Sequence, residues 1–252
     1  MIRKLSVPSP AAPLFGAWPE GILWACLQGR MGNVYTTESM LSAAAVLGDF
    51  AFFAGSPDKS LLDAVSVPLL IPQNDAWAAA IAARFGRGIQ PITRYATRKD
   101  TIFDRKALQI YASSLPNSYT VRIINQKLYN LCLENTWSQD LVSQYPTWAC
   151  FQTLGLGFAV LRGDTLVAGA SSYATFDGGI EIEIDTHPDF RRHGLARACG
   201  AALILECLDR GIYPSWDAHN ASSLSLAERL GYTPGDPYRA FVRCSPQGEP
   251  LL

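Results

Sequence analysis

The chain has 252 residues, of which 48% are apolar and 17% are charged, whereas an average soluble protein has about 25% charged residues. This composition predicts a compact globular protein of one large or two small domains and excludes a chain that is mostly disordered. The 21 Lys and Arg nearly balance the 22 Asp and Glu, so no overall charge attracts nucleic acid or an anionic membrane surface.

The N-terminal segment and the cysteines bear on the compartment of the protein. Pro8, Pro10 and Pro13 interrupt the first residues, so we expect no signal peptide. The longest apolar stretch, 195–208, contains two charged residues and is too short to span a bilayer. The cysteines lack the Cys-x-x-Cys spacing of a metal or redox site. We therefore expect a cytoplasmic protein with free thiols, no bound metal, and no nucleic-acid or membrane partner.

The first half of the chain alternates between predicted helices and strands. A helix is predicted from about residue 13 to residue 30, a strand-like apolar run broken at Gly48 over 43–55, and a helix over 57–64. Asn74 is placed to cap the next helix, because its side chain can accept a hydrogen bond from the first helical turn. This half contains no nucleotide-binding loop, metal-ligand spacing or nucleophile motif, and its residues alone assign it no chemistry.

A turn signal divides the chain. The run Leu115-Pro116-Asn117-Ser118 favours a turn, and we place a boundary there between domains at 1–116 and 117–252. The second domain is predicted to follow the order β-α-α-β-β-β-α-β-α-β. Its second helix is predicted to begin after Ser138, and Gly163-Asp164 between two apolar runs predicts a hairpin turn.

The strongest chemical signal is a basic turn between a strand that ends near Thr186 and an apolar helix. The first amides of a helix lack internal partners and carry partial positive charge, so they can bind an anion. Gly194 leaves room for a close approach, and Arg191, Arg192 and His193 add positive charge to an otherwise neutral chain. The alternative is an ordinary solvated turn before a core helix.

This turn resembles the acyl-CoA-binding motif of the GNAT acetyltransferases. Arg191-x-x-Gly194-x-Ala196 stands where that family has Gln/Arg-x-x-Gly-x-Gly/Ala, and Asn220 followed by Leu230-Gly231-Tyr232 agrees with the family in order and spacing. The resemblance covers about residues 117–252 and implies a GNAT acyltransferase fold, a mixed α/β sheet, in this half.

The first half resembles one two-domain branch of the same family. The segments CLQGRMG at 26–32 and GDFAFFAG at 48–55 carry this resemblance. We expect this smaller α/β domain to be accessory or to shape the acceptor site, since its own residues offer no second chemistry. An alternative that stays open is that this domain is a degenerate copy of the GNAT fold, although the sequence shows no clear internal repeat.

The resemblance further implies that acetyl-CoA binds at the basic turn. Its pyrophosphate would lie on the amides of residues 192–196, and its pantetheine arm would pair with the strand that ends at Thr186, between two splayed strands. Asn220 matches the family position that contacts the pantetheine, although it would equally cap the following helix. The implied acetyl-CoA-binding residues are Ile184, Asp185, Thr186, Arg191, Arg192, His193, Gly194, Leu195, Ala196, Asn220 and Ser223.

Three carboxylates alternate with three isoleucines over residues 180–185. In a strand the carboxylates would share one face at about 6 to 7 Å spacing. In the family reaction a primary amine attacks acetyl-CoA within a ternary complex. The amine must first lose a proton, which a carboxylate can take directly or through water. Glu183 is the first candidate for this base and Glu181 the second. The alternative is a polar, solvent-facing sheet surface.

One residue departs from the family pattern. Ala227 occupies the position where many members carry a tyrosine that protonates the leaving thiolate. The other candidate donors are Tyr232, Ser225, Tyr213 and His219. This departure leaves open a non-catalytic acyl-CoA-binding or interaction protein. The sequence also leaves open transfer of a longer acyl group, the identity of the acceptor, and a homodimer.

Overall fold

The computed structural model describes residues 1–251, which form two compact units. The first unit contains residues 1–95 and the C-terminal segment from Asp236, and the second contains residues 96–235. The chain passes between the units within two strands, β6 (Ile89–Thr97) and β13 (Pro234–Arg243).

The first unit has five further strands and four α-helices. The strands are β1 (Ile2–Lys4), β2 (Asn33–Thr37), β3 (Ser42–Leu47), β4 (Phe50–Gly55) and β5 (Leu69–Pro72), and the helices are α1 (Ala12–Phe15), α2 (Gly21–Leu27), α3 (Lys59–Ala64) and α4 (Asp75–Phe85). Strands β1 to β4 are consecutive antiparallel neighbours, β4 and β5 are parallel, and the end of β13 pairs with β5. The central strands are almost entirely apolar because both of their faces are buried.

Two predictions for this unit have different outcomes. The single helix predicted from residue 13 to residue 30 is wrong, because α1 ends at Phe15 and the next residue, Gly16, has a φ of 62°, which is incompatible with a continuing helix. The Asn74 cap is confirmed, since its Oδ1 accepts a hydrogen bond from the Trp77 amide at 3.1 Å. Trp77 is fully buried in the core of this unit.

The second unit has six further strands and five helices. The strands are β7 (Tyr119–Ile123), β8 (Gly157–Arg162), β9 (Thr165–Phe176), β10 (Gly179–Thr186), β11 (Tyr213–Ser215) and β12 (Asp217–Ala218), and the helices are α5 (Arg105–Ala112), α6 (Gln126–Glu134), α7 (Trp148–Leu154), α8 (Leu195–Asp209) and α9 (Ala221–Arg229). The five-stranded sheet has the order β11-β10-β9-β8-β7 and is antiparallel except for β10 and β11. Gly163 has a φ of 59° in the β8–β9 turn, as the predicted hairpin requires.

The boundary between the compact units differs from the predicted one at residue 116. Helix α5 packs on α8 of the second unit. The Arg197 guanidinium lies 4.7 Å from the centre of the Tyr111 ring, and Arg105 forms an ion pair with Asp209. Residues 96–116 therefore belong structurally with the second unit, although the Pro116 turn separates two elements of it.

The helix predicted after Ser138 is also wrong. A short 3-10 helix, Gln139–Leu141, stands there, and the buried Ser138 hydroxyl donates a hydrogen bond to the Cys132 carbonyl at 2.9 Å instead of capping a helix. The next helix, α7, begins later and is capped by Thr147, whose hydroxyl oxygen accepts from the Cys150 amide at 3.2 Å.

The two halves of the chain share one pattern of elements. Each has four antiparallel strands, a helix, a fifth strand parallel to the fourth, and a second helix capped by asparagine. Asn220 accepts from the Ser223 amide at 2.9 Å, as Asn74 accepts from the Trp77 amide. The two halves of the chain therefore share one topology, although the sequence shows no clear internal repeat.

Candidate active site

Strands β10 and β11 separate at a defined point. They pair in parallel at three positions, and the last pair is Glu181 opposite Ser215. Strand β10 continues to Thr186, and within the described residues no strand pairs with this edge beyond Glu181. The backbone N–H and C=O groups along this edge can therefore pair with an extended ligand, as an added strand would.

The turn after β10 leads directly into the N-terminus of α8. Gly194 precedes the first helical residue with φ 79° and ψ 4°, and Arg192 also has a positive φ of 65°. Within residues 1–251 no side chain caps this helix, so its first amides remain available to an anion. A Cβ added at Gly194 would meet no atom within 4 Å, which shows that this side of the turn is open.

The side chains around the turn divide into exposed and buried groups. Arg191, Arg192 and His193 are exposed, whereas Leu195 is buried and Ala196 is half-buried. Leu195 therefore anchors the helix and can offer a ligand only its backbone. The three exposed residues surround the open amides with donors and positive charge.

The predicted row of carboxylates lies on β10 but differs in depth along the strand. Glu181 is only 3% exposed, while Glu183 and Asp185 are half-buried. On the opposite face Ile184 points to α8, where a Cβ added at Gly200 would lie 3.0 Å from its Cδ1. The solvent-facing alternative does not hold for Glu181, which is enclosed where the two strands separate.

Glu181 belongs to a short hydrogen-bonded chain. The Ser215 hydroxyl donates to Glu181 Oε2 at 2.6 Å, and Lys99 Nζ donates to the Ser215 hydroxyl at 2.7 Å. Glu181 Oε1 is buried, and it has no hydrogen-bond partner among the described residues. Burial raises the pKa of Glu181 above 4.5, and the Asp217 carboxylate adds to this rise. The Lys99 ammonium and the hydrogen bonds from Ser215 and the Asp217 backbone oppose it.

Sequence reasoning missed Lys99 and Ser215. Lys99 lies before the predicted domain boundary and is far from Glu181 in sequence, so no local signal connects them. Ser215 lies in a three-residue strand, and nothing in its local sequence connects it with Glu181. The parallel pairing of β10 with β11 brings Ser215 opposite Glu181.

Asp185 lies near the end of β10 and carries a perturbed carboxyl group. Burial raises the pKa of Asp185 from 3.8 to about 7, the nearby Asp140 carboxylate adds to the rise, and Arg191 opposes it. Like charges at short distance disfavour the ionised form in this way.

Asn220 and Ser223 begin helix α9. The Asn220 cap described above confirms one of its two proposed roles, while contact with pantetheine stays a prediction. The Asn220 Nδ2 also lies 2.7 Å from His219 Nε2. The Ser223 hydroxyl oxygen accepts from Trp216 Nε1 at 3.2 Å, and its own hydrogen can serve a ligand.

The structure also restricts the proton donors proposed to replace the missing tyrosine. Tyr232 is buried and donates to the Pro214 carbonyl at 2.6 Å, and burial raises its pKa well above 10. The Tyr213 hydroxyl donates to the Arg98 carbonyl at 2.8 Å, and burial raises its pKa as well. Ala227 is completely buried, so a tyrosine at this position would displace core atoms.

Residues 1–251 contain neither a metal-binding cluster nor a membrane-spanning helix. No three His, Cys, Asp or Glu side chains are grouped so that they could hold a metal ion. No helix in this range has the length and apolar character needed to cross a membrane.

Comparisons with known proteins concern the family and the fold of the chain. The family profile described as GNAT acetyltransferase matches residues 12–241. A GCN5-related N-acetyltransferase-like protein from Streptococcus suis 89/1591 is 47% identical, with a TM-score of 0.91 over 94% of this chain and 98% of that one. The uncharacterized N-acetyltransferase YdfB of Bacillus subtilis (strain 168) is 38% identical over 84 residues, and the match spans 32% of its length and 32% of this chain.

A fold likeness supports the duplicated pattern. The tandem GNAT protein from the clavulanic acid biosynthesis pathway has a TM-score of 0.51 at 12% identity, over 98% of this chain and 99% of that one. At this identity the likeness concerns the fold alone. It agrees with two GNAT-like halves along the whole chain.

The raised pKa of Asp185 predicts a pH-dependent stability. Because the folded pKa is about 7 and the ordinary value is 3.8, the stability that Asp185 contributes is present at low pH and is lost as the pH rises through 7. Asp185→Asn should therefore be more stable relative to wild type at pH 8 than at pH 5. Urea unfolding midpoints at both pH values measure this difference. The exposed Asp189→Asn is the control, and an equal effect of Asp185→Asn at both pH values would contradict the assignment.

Proposed function

Because the chain belongs to the GNAT acetyltransferase family, we propose that it transfers an acetyl group from acetyl-CoA to a primary amine. The observation that carries this proposal is the uncapped N-terminus of the fifteen-residue helix α8, which follows a glycine turn directly after a strand with an open edge. These two features suit the two chemically different parts of coenzyme A, its anionic pyrophosphate and its extended pantetheine arm.

The proposed binding mode uses backbone groups first. The amides of residues 192–196 would hold the pyrophosphate, with Arg191 supplying charge-assisted donors. The pantetheine would pair with residues 184–186 as an added strand. Asn220 and Ser223 would face the arm from the start of α9. The thioester would then lie near the point where β10 and β11 separate.

The proposed reaction needs one base on β10. Burial and the raised pKa favour Glu181 over Glu183 as this base, because proton transfer is most efficient when the pKa of the base approaches the working pH. Glu183 is half-buried, and its Oε1 already accepts from the Ile184 amide at 3.1 Å. The neutral amine would attack the thioester carbon directly, and the leaving sulfur would take the proton that the nitrogen loses as the amide forms, passed on through solvent, Ser225 or His219.

The second candidate function is a non-catalytic acyl-CoA-binding protein, which Ala227 favours because it removes the usual proton donor. The buried Glu181 argues for the enzyme, since binding of coenzyme A alone requires no enclosed carboxylate. Release of free thiol from acetyl-CoA with a panel of amines distinguishes the two functions.

The first half is proposed to bind no acetyl-CoA. Only residues 56–58 connect β4 to α3, whereas residues 187–194 connect β10 to α8. The Asp58 carboxylate caps α3 by accepting from the Leu61 amide at 2.9 Å. A negative charge therefore stands where the corresponding turn of the second half presents free amides. We infer one acetyl-CoA per chain.

The phosphate-binding turn is tested by Gly194→Asp. The added carboxylate would enter the open side of the turn and repel the pyrophosphate, so the dissociation constant for acetyl-CoA should rise at least about 100-fold, which is about 2.7 kcal/mol. Calorimetry measures it. Gly178→Asp is a matched control, because Gly178 also has a positive φ of 86° and open space around it. Unchanged affinity in a folded Gly194→Asp variant would place the binding site elsewhere.

The base is tested by comparing Glu181→Gln with Glu183→Gln. Removal of a general base lowers turnover by about 10² to 10⁴-fold, so Glu181→Gln should lower kcat within this range while acetyl-CoA affinity stays unchanged. Glu183→Gln should lower kcat less than about 10-fold. Thiol release measures turnover and calorimetry measures affinity. A larger loss in Glu183→Gln would assign the base to Glu183.

A further inference from the structure

The segment that carries Lys99 is tied to β11 and to Trp216, the residue after it, by three hydrogen bonds. Besides the Lys99–Ser215 bond, the Thr97 hydroxyl donates to the Trp216 carbonyl at 2.6 Å, and the Tyr213 hydroxyl donates to the Arg98 carbonyl at 2.8 Å. Lys99 is half-buried and Ser215 is completely buried. The ammonium group is therefore held in place by its neighbours.

The direction of the hydrogen bonds in this chain follows from the groups themselves. An ammonium group only donates, so Ser215 Oγ must accept from Lys99. The single hydroxyl hydrogen of Ser215 then points to the carboxylate of Glu181, where it occupies Oε2. Oε1 is left as the carboxylate oxygen that can take a further proton; among residues 1–251 it is buried and has no hydrogen-bond partner at ordinary distance, although the Asp217 backbone lies close enough to lower the pKa of the carboxyl group.

We propose that Lys99 and Ser215 are positioning residues for Glu181, which hold its Oε2 as an acceptor and direct its free Oε1 toward the reacting amine. This inference rests on the proposed acetyl transfer. An acceptor ammonium would give one proton to Oε1, and the resulting amine would attack the thioester carbon. The C–S bond would then break, the sulfur would take the proton that the nitrogen loses as the amide forms, and Glu181 would return its proton to solvent.

The charges around Glu181 define what Lys99 contributes. Asp217 on β12 raises the pKa of Glu181, while the Lys99 ammonium lowers it. The hydroxyls of Tyr213 and Tyr232 also interact with this carboxylate, but burial raises the pKa of each phenol. Lys99 is therefore the cation that favours the ionised form of Glu181, the form that can accept a proton.

The first test measures the Glu181 carboxyl without any activity. The pKa of this group is followed by ¹³C NMR in the full chain, with Glu181→Gln to assign the resonance. Loss of an opposite charge at close range changes a pKa by about 1 or more, so the pKa should rise by that amount in Lys99→Met. Arg98→Met is the matched control, because Arg98 is an exposed neighbour that pairs with Asp100. It should leave the pKa unchanged, and Lys99→Arg should largely retain the wild-type value.

The second test measures the pH dependence of acetyl transfer. The acidic limb of the kcat/KM profile, with acetyl-CoA and an amine that wild type acetylates, should move upward in Lys99→Met by the same amount as the NMR pKa. An unshifted NMR pKa in folded Lys99→Met and Ser215→Ala would overturn the inference, whether or not the chain is an enzyme. If the NMR pKa shifts but the chain acetylates no amine, the proposed acetyl transfer is refuted. The proposal that Lys99 and Ser215 position Glu181 for catalysis is then refuted as well.

Discussion

The end of the pairing between β10 and β11 is the constraint on which the candidate site depends. Up to Glu181 and Ser215 the two strands satisfy each other's backbone groups, and beyond them β10 continues alone on that side. An unpaired strand edge is ordinarily a liability that proteins cover or shorten. Here the open edge of β10 is followed by the turn at Gly194, whose amides are also left uncapped by side chains within residues 1–251. Two groups of backbone atoms that can bind a ligand therefore lie close together along the chain.

The same point of separation creates the chemical asymmetry of the site. Glu181 lies at the last paired position and is enclosed, whereas Glu183, two residues further on, is partly open to solvent. An enclosed carboxylate requires compensation for lost hydration, and Ser215 and Lys99 provide it for one oxygen. Strand geometry, burial and the hydrogen-bonded chain therefore all distinguish two glutamates that the alternating sequence presents as equivalent.

Local signals in the sequence predicted caps and a turn correctly, whereas the helices predicted over 13–30 and after Ser138 were wrong. Asn74 was predicted to cap a helix, and a cap was one of the two roles left open for Asn220, because the capping bond joins residues three apart. The turn at Gly163 was predicted because Gly163-Asp164 stands between two apolar runs. The extent of the second unit and the role of Lys99 were not predictable in this way. Both depend on packing between segments that are far apart in the sequence, and Lys99 and Ser215 are more than a hundred residues apart. A single sequence carries no periodic pattern or motif that reveals such packing.

The two halves share one pattern of elements, but the connection from the fourth strand to the next helix is much shorter in the first half than in the second. We therefore claim that only the second half binds acetyl-CoA. Hydrogen–deuterium exchange of the full chain with and without acetyl-CoA tests it most directly. The account predicts slower exchange of the amides at 184–186 and 192–196, and unchanged exchange at 58–61. Protection at 58–61, or none at 192–196, would contradict it.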